Sequence, residues 1–116
     1  MEETVERLVA ALKARSVMVF ARIPHSAGAR SVGLSLPEQT VVIFGNPQVG
    51  TPLMQLDPTV GIELPLRILV WDDHGTTRVS YRDPTSLAGD YALNDSGATL
   101  ERMRHLLEEL SAEAVG

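Results

Sequence analysis

This 116-residue sequence holds three histidines, His25, His74 and His105, the residue type suited to general acid–base work and to metal ligation. His25 directly follows Pro24 and precedes a run of small residues, a place where an imidazole stays open to a substrate; a loop histidine bonded to a carbonyl is the plainer alternative. As a general base His25 would need a carboxylate to orient it, and Asp57 or Asp83 is the candidate for that role. As a metal or haem ligand it would have to meet partners from distant segments, because no two histidines have the H-x-x-x-H spacing of a helical ligand pair. His74 stands beside Asp72 and Asp73 in a polar turn, and His105 has Glu101 one helical turn before it, so both read as solvated. Asp72 and Asp73 share that exposed turn and carry no separable acid and base roles.

The densest run of chemically suggestive residues is Gly45-Asn46-Pro47-Gln48-Val49-Gly50-Thr51-Pro52-Leu53-Met54-Gln55. Its opening superficially resembles a phosphate-binding loop but lacks the lysine, and Pro47 and Pro52 have no N–H to offer a phosphate. The Gly50 and Thr51 amides at a helix start would suit a small anion, against the simpler reading of a tight turn after a buried strand. Asn46, Thr51, Met54 and Gln55 would together furnish a pocket of mixed apolar and polar character, with Met54 as ordinary core filler the competing role. Tyr81 and Asp83 would line the same side if the hairpin neighbours the Phe44 strand. No serine lies in a G-x-S-x-G elbow, so nucleophilic hydrolysis has no local support.

These residues need elements to position them. Val5, Leu8, Val9 and Leu12 make one helical stripe and predict a helix over 2–15, with acidic residues at its start and basic ones at its end. The β-branched and aromatic run 17–23 predicts a strand stopped by Pro24, and a short helix is expected over 27–34. Val41 to Phe44 form a continuous apolar run, which suggests a strand covered on both faces. A helical piece over 49–56 should turn Val49, Leu53 and Leu56 inward, with Pro52 in its first turn. Residues 64–71 and 77–82 read as a hairpin joined by Asp72-Asp73-His74-Gly75. In its second strand Val79 and Tyr81 alternate with Arg78, Ser80 and Arg82, so the arginines should face water. Asp83-Pro84 has the form of an N-cap and first helical residue, opening a short helix to about Tyr91. Leu100, Met103, Leu107, Leu110 and Ala114 predict the longest helix, over 97–114.

Composition excludes several functions. With no cysteine there is no thiol nucleophile, no Cys-ligated zinc or iron–sulfur cluster and no disulfide. Fifteen acidic against ten basic residues, a net charge of −5, argue against nucleic acid as a partner. No apolar run is long enough to span a bilayer, and Met1-Glu2-Glu3 lacks the positive charge of a secretory signal, so a cytoplasmic protein with no membrane partner is expected. The length fits one domain over 1–116.

The stretch VVIFGNPQVGTPLMQLDPTVGIELPLRILVWDD, residues 41–73, and the later VSYRDP, residues 79–84, resemble the bacterial and archaeal family known as domain of unknown function 302. The opening helix, the strand before Pro24-His25 and the segment from Ala27 to Leu34 are similar to the family's first half. Pro24 stands where relatives often have Asp, and Arg82 where they usually have Asn. The resemblance implies an α+β fold of the TATA-box-binding-protein class and a dimeric state; it supplies no established function.

The expectation is therefore an α+β two-layer domain with about four mainly antiparallel strands and the N- and C-terminal helices on one face. The expected role is a non-enzymatic small-ligand-binding or interaction module, homodimeric, with no cofactor and with a site among His25, Asn46, Thr51, Met54, Gln55, Tyr81 and Asp83. A small enzyme, or a metal- or haem-binding protein, built on His25 is the alternative.

Overall fold

The apolar stripes of the two ends produce the two longest helices, α1 (Glu2–Ala14) and α5 (Gly97–Val115), in a computed structural model that describes residues 1–116. They pack side by side, and Arg7 of α1 and Arg15, which follows its last residue, bind them together at the edge: Arg7 Nε donates to the Ala114 carbonyl at 2.8 Å, and Arg15 meets the Glu113 carboxylate at 2.7 and 3.0 Å. The expected inward residues Val5, Leu8, Val9 and Leu12 of α1 are buried, as are all five of the α5 stripe.

The strands β1 (Met18–Pro24), β2 (Gln39–Gly45), β3 (Leu66–Asp73) and β4 (Thr76–Ser80) form one sheet in sequence order. Every neighbouring pair is antiparallel. α2 (His25–Ser31) joins β1 to β2, α3 (Pro47–Leu56) lies between β2 and β3, and α4 (Leu87–Asp90) follows β4. Val42 and Phe44 of β2 and Ile68 and Val70 of β3 point to α1 and α5 and complete the larger core. At roughly 1.5–3 kcal/mol for each large apolar side chain withdrawn from water, this contact surface is the main favourable term in the fold. A smaller core of Leu53, Val60, Leu87, Leu93, Leu100 and Met103 joins α3 and the 3-10 turn after it to the first half of α5.

Several local expectations change. The apolar run of β2 is covered on one face only: Val42 and Phe44 are fully buried, while Val41 and Ile43 are half-buried on a face that carries neither α1 nor α5. The third helix begins at Pro47, because Asn46 caps it by accepting from the Gln48 N–H at 2.9 Å, so Pro52 falls inside the helix. Of its expected inward residues only Leu53 is buried; Val49 and Leu56 are exposed. The second helix starts two residues early, at His25. In the hairpin both His74 and Gly75 have positive φ, 50° and 93°, the conformation of the two-residue turn that matches strand twist.

Candidate functional site

The end of the sheet where β1 begins and β2 finishes is not closed by α1 and α5. There a cavity of about 220 Å³ opens between the sheet, α3 and the middle of α5. Phe44, Leu66 and Met103 come to it from the cores behind; Val49, Gly50, Thr51 and Met54 form the side given by α3. Val17 and Phe20 bound it from the β1 side, and Leu64 and Pro65 from the segment entering β3.

Two backbone features bring these walls together. The pairing of β1 with β2 slips between Val19 and Ala21, and such a bulge re-aims the extra side chain, here Phe20, 48% exposed. Gly45, at the end of β2, lets Pro65 and the Phe20 ring close over it: a β-carbon at this position would lie 3.3 Å from Pro65 Cβ and 3.5 Å from the ring. A larger residue would have to push one of them aside.

Of the residues singled out in the sequence, Asn46, Thr51 and Met54 line this cavity together. Met54 is half-buried; Asn46 and Thr51 are exposed at the rim. Gln55 is exposed on the same helix but outside the lining. Tyr81 packs against the larger core, and burial raises its phenol pKa above the ordinary value, helped by the Glu108 and Asp83 charges. Asp83 caps the 3-10 turn Pro84–Ser86, accepting from the Thr85 hydroxyl at 2.8 Å and N–H at 2.9 Å, and these bonds hold its carboxyl below the usual range. Neither Tyr81 nor Asp83 reaches the cavity lining.

His25 lies elsewhere. It opens α2 at the far end of β1, exposed, on the order of 15 Å along the strand from Phe20. Asp57 does not orient it: Asp57 accepts from the Thr59 hydroxyl and N–H at 2.6 and 3.0 Å and from the Ala92 N–H at 2.9 Å, which lowers its pKa. Both carboxylates proposed as partners for His25 are thus occupied as caps. No three His, Asp or Glu side chains gather as metal ligands. The anion reading of the Gly50 and Thr51 amides is also corrected, since the Gly50 N–H donates to the Asn46 carbonyl at 3.0 Å and Thr51 lies a turn inside the helix.

Sequence reasoning missed Phe20, whose position depends on the bulge, and Leu106 and Met103, which α5 contributes. Leu106 left a signal: it widens the apolar stripe of α5, and it is half-buried where the larger core meets the cavity.

No residue lining the cavity is charged, and Asn46 and Thr51 supply its polar side chains. Such a site can enclose an apolar molecule and hydrogen-bond one end of it; it holds no acid, base or strong nucleophile.

A meander sheet with two terminal helices on one face and an apolar cavity at one end defines a small α+β module. The match of residues 1–110 to the family model described as Domain of unknown function DUF302 shows that the chain belongs to that family. It is similar to the crystal structure of an uncharacterized conserved DUF302 protein from Bacillus stearothermophilus, with a TM-score of 0.85 and 25% identity over 98% of this chain and 90% of the other. It is also 46% identical over 92 residues, 78% of its length, to proteins named fluoride-specific ion channel FluC 1 from Brucella suis and from Brucella abortus. The matched segment makes up 36% and 34% of those proteins, so the chain spans about a third of the length of the curated relatives it matches. No helix in the present structure is long and apolar enough to cross a membrane.

Proposed function

We propose that this protein is a non-enzymatic small-ligand-binding module that works as a homodimer. The observation that carries the reading is the cavity beside α3: about 220 Å³, apolar within, polar only at Asn46 and Thr51, and without a group able to move a proton. Thermal shift against a panel of metabolites and metal ions tests it. Concentration-dependent stabilisation by one class is expected; none from any class would contradict the reading.

The homodimer rests on the sheet face opposite α1 and α5. Val41, Ile43, Leu69 and Trp71 share that face by register, with Met18 and Ile23 of β1 exposed beside them. Arg67, Asp73 and Arg78 fall on the same face by register and frame this apolar centre, and an apolar centre with a charged rim is the make-up of a protein–protein interface. A second copy can bring the same patch to it about a two-fold axis. Sedimentation at micromolar concentration should give a dimer; a clean monomer would contradict this part of the proposal. A cytoplasmic location belongs to the same proposal, and fractionation of cells carrying a tagged chain tests it.

The Brucella matches favour a second reading, in which a module of this kind serves a membrane transport protein as an appended part. The transporting segments would then lie in the two thirds of those proteins outside the match. Removing the matched segment from the Brucella suis protein and following fluoride efflux from vesicles decides it: altered efflux supports the reading, unchanged efflux opposes it.

A further inference from the structure

The cavity beside α3 also specifies what kind of molecule belongs in it, and this step rests on the ligand-binding reading above. In a chain with twenty-five charged residues, none of the fifteen that line the cavity is charged. An ammonium ion placed there would lose its water with no opposite charge to replace it, and a carboxylate or phosphate would find only the two neutral donors of Asn46 and Thr51 and no cation. Size sets a second limit. An apolar cavity of about 150 Å³ accommodates benzene, so 220 Å³ corresponds by proportion to about nine non-hydrogen atoms. The rim sets a third. Asn46 uses its Oδ1 to accept from the Gln48 N–H at 2.9 Å, which fixes the amide and leaves its nitrogen as the free donor; the Thr51 hydroxyl stands on the same rim. Both can give a hydrogen bond to an acceptor on the ligand.

We infer that the cavity takes a neutral, compact apolar molecule of about nine non-hydrogen atoms, a ring or branched aliphatic carrying one carbonyl-type acceptor that faces Asn46 and Thr51. Phe20, Phe44 and Met103 enclose the apolar body. Met54, whose unbranched thioether adapts to irregular shapes, closes over it from α3. Gly50 keeps the α3 wall thin: a β-carbon there would touch Leu64 at 3.7 Å and Met54 at 3.8 Å.

The test uses four probes of one shape: acetophenone, ethylbenzene without the acceptor, benzoate as the anion and benzylamine as the cation. Calorimetric titration of the full chain should give acetophenone an affinity at least about tenfold above benzoate and benzylamine, and several-fold above ethylbenzene. Asn46→Asp keeps the oxygen that caps α3 while replacing the donor, so it should abolish the preference for acetophenone over ethylbenzene and leave ethylbenzene binding intact. Thr51→Val should reduce the same preference. Binding of benzoate or benzylamine as tight as that of acetophenone, or an undiminished preference in both variants, would overturn the ligand class while leaving a ligand site standing. If acetophenone instead dissociates a dimer, the cavity seats a partner copy's side chain and the inference falls. Failure of all four probes, together with a silent metabolite panel, overturns the ligand-binding reading itself.

Discussion

Asp57 and Asp83 do the same work at two places, each followed by proline and each closing the start of a 3-10 turn with its carboxylate. In both cases a threonine two residues on gives its hydroxyl and its N–H to the same oxygen. These bonds favour the charged form and hold both pKa values below the ordinary one. The His74 and Arg78 side chains do so for Asp73, and Arg15 does so for Glu113. The sign of the pH dependence follows. The unfolded chain takes up protons on these carboxyls at higher pH than the folded chain, so their contribution is complete above the unfolded values, near pH 4–5, and is lost as pH falls through the lower folded ones. Urea midpoints measured between pH 7 and 2.5 should stay level and then decline below about pH 4.5. Asp57→Asn with Asp83→Asn should flatten part of that decline; an unchanged acid slope would show that the caps do not carry it. At a buried position the effect is larger: Leu107 is fully enclosed between α1, α5 and the sheet, and Leu107→Ala should cost about 2–5 kcal/mol in denaturant unfolding.

Among the elements, α3 is the one whose sequence opposes its conformation. Gly50 lies in its interior, and Pro52 removes the bond its N–H would have given to the Gln48 carbonyl. The helix stands because Asn46 caps it and because Leu53 is buried in the smaller core. Gly50→Ala should therefore raise stability by about 0.4–1 kcal/mol, since the added carbon meets its neighbours at ordinary contact distances; a loss of stability would show that the wall is already full. How far the elements could be read in advance follows from the strength of their patterns. The stripes of α1 and α5 and the Gly75 turn of the hairpin are local signals, and the structure follows them. The helix α3 starts two residues before the sequence pattern places it, because the capping Asn46 outweighs the later Pro52 as a boundary. The single-sided burial of β2 is not legible in the sequence, because Val41-Val42-Ile43-Phe44 reads the same whether the second face meets a helix or lies open. For the site, Asn46, Thr51 and Met54 are legible as a cluster at one helix and its cap, whereas Phe20 depends on a bulge and Met103 on contacts between distant elements. His25 looked functional because it followed a strand-ending proline, but that position sends it to the end of β1 away from the cavity. Arg82, one of two departures from the family pattern, is held by Glu63 at 3.1 Å and by Asp90, which ties the strand end to the segment around α4.

At the scale of the whole molecule, the helices and the larger core secure one side of the sheet, the opposite face carries neither terminal helix, and the cavity opens at one end. The two can be separated by substitution. Leu69→Glu places a charge in the middle of the open face, away from the cavity lining, and should turn a dimer into a folded monomer in sedimentation with the circular dichroism unchanged; a persisting dimer would place the interface elsewhere. The single tryptophan, Trp71, bonds Ser80 on that face at 2.8 Å and should report the change in its emission. The cavity has its own reporters, since two of the four methionines, Met54 and Met103, line it and Met1 packs against the larger core instead. The most direct measurement is therefore a methyl NMR titration of protein labelled at methionine, with acetophenone added. Saturable shifts of the Met54 and Met103 methyls with Met1 unmoved are the predicted result; methionine signals that stay in place, or a Met1 shift as large as the other two, would contradict a ligand site beside α3.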